Sequence, residues 1–97
     1  MLHTVNKSPF DRSAFASCLA TAQADDHILL IEDGVVAVMA GSKFEPAVKN
    51  ALGKYKIHAL GPDLKARGIT KVVEGVEVCD YAGFVSLAAD HVMCPWL

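Results

Sequence analysis

The run His27-Ile28-Leu29-Leu30-Ile31-Glu32 constrains this chain more than any other segment. Its four consecutive branched apolar residues leave no polar face. A strand of that kind is stable when both faces are covered, as in a parallel sheet. Parallel neighbours need crossover connections, which helices supply. The rest of the chain fits that demand. Residues 1–5 predict a first strand, broken at Ser8-Pro9. Residues 11–23 predict a helix with an apolar stripe of Phe15, Leu19 and Ala22. Asp33 stands where an N-cap is wanted, ahead of a short helix over 34–40. A further helical segment spans 44–52. Residues 54–60 predict the third strand, and 61–68 a compact helix with Pro62 at its start and Gly68 past its end. Residues 76–80 predict the fourth strand. Asp80 caps a last helix to about residue 89, with Phe84, Leu87 and Ala88 as its stripe. Residues 91–97 predict a tail that can form a fifth strand at an edge, where Pro95 is tolerated.

The alternation of strands and helices predicts an α/β fold of three layers, α/β/α, around a mainly parallel five-stranded sheet. At 97 residues it is expected to be a single domain spanning 1–97. Small domains bury a limited share of their surface. Here 53% of residues are hydrophobic and mean hydropathy is +0.32. That excess predicts faces that bury against other subunits. No apolar run reaches the roughly 20 residues of a membrane span, and no secretory pattern opens the chain. Three cysteines, an odd number without a CxxC pair, fit a reducing cytoplasm rather than a disulfide framework. Net charge is −2, unevenly spread: between residues 43 and 71 seven basic residues face two acidic ones. Only Phe44 and Tyr55 interleave that basic stretch, which argues against direct nucleic-acid binding.

Chemistry-bearing residues are few. Residues 6–11 contain no glycine, which excludes a phosphate-binding loop after the first strand. His3, His27, His58 and His91 lie far apart in sequence, and none sits at metal-ligand spacing from another on one element. No metal or cofactor is expected, and His3 is expected to be a hydrogen-bonded core residue. Glu32 and Asp33 are adjacent carboxylates at a strand end, but neighbours on an extended chain point to opposite faces. Asp33 as an N-cap and Glu32 as a surface acid explain them better. Cys18 has no cation or helix N-terminus nearby to generate a thiolate. It reads as a small apolar residue at the edge of the core. Cys79 reads as core, and Cys94 as an accessible thiol without a partner.

Four segments, in order and suitably spaced, resemble the DsrH/TusB family. They are Met1-Leu2-His3-Thr4-Val5-Asn6-Lys7-Ser8-Pro9-Phe10, Leu29-Leu30-Ile31-Glu32-Asp33-Gly34-Val35, Ala59 through Gly68, and Asp80-Tyr81-Ala82-Gly83-Phe84-Val85. Trp96 near the end fits too. The resemblance implies a DsrE-like fold. It also implies a heterohexamer with two homologous subunits, one DsrE/TusD-like and one DsrF/TusC-like. Such a complex relays persulfide sulfur to a DsrC/TusE-type acceptor. Family members serve dissimilatory sulfur oxidation or 2-thiolation of the tRNA wobble uridine. In the family the main sulfur-carrying cysteine lies on the DsrE/TusD-like subunit. Cys18 matches a cysteine of DsrH proteins from sulfur oxidisers, which favours that branch and makes Cys18 a candidate persulfide carrier. The competing expectation is a purely structural or docking subunit.

Overall fold

The computed structural model describes residues 1–96. Five parallel strands form one sheet: β1 (Leu2–Val5), β2 (His27–Leu30), β3 (Lys56–Leu60), β4 (Glu77–Cys79) and β5 (Met93–Trp96), in the order β4-β3-β2-β1-β5. The α/β fold with a five-stranded parallel sheet is thus as expected. β5 is an edge strand beside β1, and Leu97 lies outside the described residues.

Parallel register keeps paired residues on one face. Val5, Ile28, Leu30, Ile57 and Ala59 share the first face, with Val35, Val38, Val48, Leu64 and Val73 in the same cluster. The helices α1 (Ala14–Thr21), α2 (Glu45–Leu52) and α3 (Gly61–Ala66) cover it. Phe15 is its largest fully buried side chain. The second face holds Leu2, Leu29, His58 and Leu60, all buried. Its helix is α4 (Tyr81–Asp90), none of whose residues is buried. The stripe Phe84, Leu87 and Ala88 is half-buried, while Tyr81 and Val85 are exposed.

Three local expectations are corrected. First, α1 begins at Ala14, not near residue 11. The amides of Asp11 and Arg12 both donate to the Ser8 carbonyl, so a tight turn occupies the residues after Pro9. Second, the segment after β2 is a 3-10 helix over Glu32–Val38, not an α-helix over 34–40. Valines at 35, 36 and 38 lose side-chain freedom in an α-helix, and the chain leaves the helix at Met39, which bridges to Val72. Third, Asp33 does not cap that helix. Ile31 occupies the cap position and no side chain bonds there.

Other signals hold. Asp80 caps α4, its carboxylate accepting the Gly83 amide at 2.8 Å. Pro62 opens α3, and Gly68 follows its end at φ +68°, a conformation costly for any residue with a side chain.

Candidate functional site

The three cysteines meet three environments. Cys18, on α1 one turn beyond Phe15, is completely buried. Burial pushes its thiol up to about 12, and the charges of Cys94 and Asp26 act in the same direction. Cys18 therefore belongs to the core itself, not to its edge. Cys79 is half-buried rather than core; burial and then Asp80 raise its pKa. Cys94, on β5 opposite His3, lines a cavity of about 330 Å3 with Met1, His3, Thr21, Gln23, Asp26 and Trp96.

A polar network closes one wall of that cavity. The Trp96 indole N–H donates to His3 Nδ1 at 3.1 Å. His3 must then carry its proton on Nε2, which donates to Asp26 at 2.9 Å. Asp26 also accepts the Gln23 amide at 2.9 Å and the Met1 ammonium at 3.2 Å. These bonds, that from His3 foremost, hold the Asp26 carboxyl down at about 2. His3 is thus the bonded core histidine expected. Both of its ring nitrogens are engaged, so it is not free to act as a base toward Cys94. Asp26→Ala is expected to cost about 1–2 kcal/mol, because it strands the buried His3 donor. Urea denaturation at pH 7 measures this. The Asp26 carboxyl titrates lower in the fold than unfolded. Its contribution is therefore present above the ordinary 3.8 and lost as pH falls toward 2.

At the carboxyl ends of the strands, Glu32 and Asp33 separate as expected and form no acid/base pair. Glu32 has φ +50°, a strained value for a residue with a side chain. Its amide donates to the Asp63 carboxylate at 2.6 Å. Asp33 instead accepts from Arg67 Nε and Nη2 at 3.0 and 2.9 Å, and Arg67 Nη1 donates to the Asp63 carbonyl. The rim is a self-satisfied clasp. Near it, Phe10 and Phe44 pack edge to face at 4.9 Å with Lys43 over both rings. That cation and those aromatics satisfy each other.

One constellation escaped the sequence. His27, His58 and His91 come together on the second sheet face. His27 Nδ1 lies 3.0 Å from His58 Nε2, and their rings stack at 5.2 Å. The His27 and His91 rings lie 4.4 Å apart. The distance between them in sequence hides this grouping. Strand parity was the available signal: His58 pairs with Leu29, two residues after His27. Among the described residues no three His, Cys, Asp or Glu groups are disposed to hold a metal ion, and no helix is long and apolar enough to cross a membrane.

Five parallel strands in one sheet with helices around them define the DsrE-like fold. The ychN protein of Escherichia coli has that fold with a TM-score of 0.74 at 16% identity, over 98% of this chain and 97% of its own. A protein of unknown function from Methanobacterium thermoautotrophicum, MTH1491, matches at 0.74 and 16%, over 97% and 96%. Likeness at that identity speaks to the fold alone. The family model described as DsrH like protein matches residues 7–93. Protein TusB of Escherichia coli strain K12 is 37% identical over 92 residues, 94% of each chain, and Protein TusB of Shigella flexneri matches equally. The chain belongs to the DsrH/TusB family.

Proposed function

We propose that this chain is a structural and docking subunit of a cytoplasmic sulfur-relay complex, and that persulfide chemistry happens on its partners. The observation that carries this reading is the state of Cys18. Transfer of sulfane sulfur needs a thiolate. Burial pushes the Cys18 thiol up to about 12, which keeps it protonated at pH 7, and Cys18 has no exposed surface. The partners in this reading, which family membership supports, are a DsrE/TusD-like subunit, a DsrF/TusC-like subunit and a DsrC/TusE-like acceptor. The outer face of α4 supports a docking role. Tyr81, Phe84, Val85, Ala88 and Ala89 line a shallow apolar hollow of about 520 Å3, and Tyr81 and Val85 are 61% and 67% exposed. Three free cysteines fit a reducing compartment.

Two acceptor pathways are open to the family. The TusB relatives support wobble-uridine thiolation. The cysteine at position 18 is the feature that supports sulfur oxidation.

The test uses the complex reconstituted with both homologous subunits. Cys18→Ser is expected to assemble and to pass sulfur at the native rate, and mass spectrometry after sulfur loading should find no persulfide on Cys18. A loaded Cys18, or an assembled variant that transfers no sulfur, would establish Cys18 as a carrier instead. Val85→Asp tests the docking face. An exposed substitution should move stability by less than about 0.5 kcal/mol. It should nonetheless abolish copurification with the partners; unchanged copurification removes α4 from the interface.

A further inference from the structure

We propose that the His27–His58–His91 cluster is an acid-sensitive latch that holds α4 on the second sheet face and fixes the turn from α4 into the edge strand β5. The inference stands apart from the sulfur-relay reading and follows from how few contacts hold that layer. No residue of α4 is buried, yet Leu2, Leu29 and Leu60 on the sheet face it lies over are at most 3% exposed. At its start α4 is tied by the Asp80 cap. At its end the chain turns at His91, whose Nδ1–H donates to the Leu87 carbonyl at 3.0 Å and whose ring packs on His27. The imidazole cluster is therefore the joint between α4 and the sheet.

The protons of that joint can be assigned. His58 Nδ1 lies 3.4 Å from the Glu77 carboxylate, an acceptor, which favours the ring proton on that nitrogen. His58 Nε2 then accepts, and His27 Nδ1–H donates to it across 3.0 Å. A first added proton fits on His27 Nε2 and leaves this bond intact. A second, on His58 Nε2, turns the acceptor into a donor. Two N–H groups then face each other, each on a cation, and the bond becomes a repulsion.

The surroundings resist both protons. Burial, then the charge of His91, Lys56 on β3 and the amino terminus ahead of β1 lower the pKa of His27; Glu77 on β4 opposes them. Burial also lowers that of His58, against Glu77 and alongside His27, Lys56 and His91. Glu77 is 73% exposed at its side chain, so water screens the one anion that could compensate. Asp90, the last residue of α4, is exposed as well. The sign follows. Both histidines titrate lower in the fold than unfolded, so their contribution is full above the ordinary 6.5 and is lost as pH falls through the folded values. Asp26 titrates at about 2 and acts in a separate, lower window.

Hydrogen exchange and imidazole NMR on the full chain between pH 7.5 and 5 test this. After correction for intrinsic exchange, protection of α4 and β5 amides should fall about tenfold or more across that range, while α1 and α2 hold. Imidazole signals of His27 and His58 should titrate below 6.5 in two coupled steps. His58→Gln should keep α4 protection flat with pH. The NMR titration reads out on the native chain even where that variant does not fold. Independent titration near 6.5, or α4 protection that does not change with pH, overturns the latch.

Discussion

Alanine at position 34 is expected to cost about 4 kcal/mol or more, enough to unfold much of the population. A domain of this size has about 5–15 kcal/mol to lose. Gly34 sits in the 3-10 helix where it crosses the end of β1. A Cβ there would overlap the Val5 carbonyl oxygen and come within 2.9 Å of the Val5 carbonyl carbon. Both are backbone atoms and cannot rotate away. The Val5 oxygen is also pinned, since it accepts the Ile31 amide at 3.0 Å, while the Gly34 amide donates to the Ile31 carbonyl at 2.9 Å. Relief would mean parting the 3-10 helix from the sheet. Val35 and Val38, both fully buried, would move with it. Urea denaturation followed by far-ultraviolet circular dichroism measures the loss. A shift below about 1 kcal/mol would mean that the crossing is looser than its contacts indicate.

Phe15→Ala is expected to cost about 3–5 kcal/mol, the range for emptying an aromatic site in a packed core. Phe15 is 2% exposed and stands among the residues of the first face. The same substitution has a chemical readout. Phe15 and Cys18 are three apart on α1 and share its buried side. Removing the ring opens space beside the thiol, so alkylation of Cys18 by iodoacetamide should accelerate, while Cys79 and Cys94 react as before. Unchanged Cys18 reactivity in a folded variant would show that something other than Phe15 seals it.

How much of this was legible beforehand follows from which interactions are local. The apolar run at 28–31 placed β2 and demanded a parallel sheet. Asp80 and Pro62 announced their helices because caps and first-turn prolines act over three or four residues. The four motifs carried the family. What escaped lies between elements. Asp33 looked like a cap because the competing partner, Arg67, is 34 residues away. The turn after Pro9 held α1 back to Ala14 through one carbonyl, that of Ser8. The histidine cluster needed the strand register, which no single segment contains. Cys18 reads from sequence as the edge of the core, and only the packed first face shows it fully enclosed.

The sheet order has a temporal meaning. β5 pairs with β1 residue for residue, Leu2 beside Met93 and Val5 beside Trp96, across nearly the whole chain. The other strands each find a neighbour already made. During synthesis β1 must therefore wait with one edge open until β5 has been made. Contacts of such long sequence separation form late, and an unpaired edge invites pairing with another chain. Association with partners is then best timed after β5 has closed that edge.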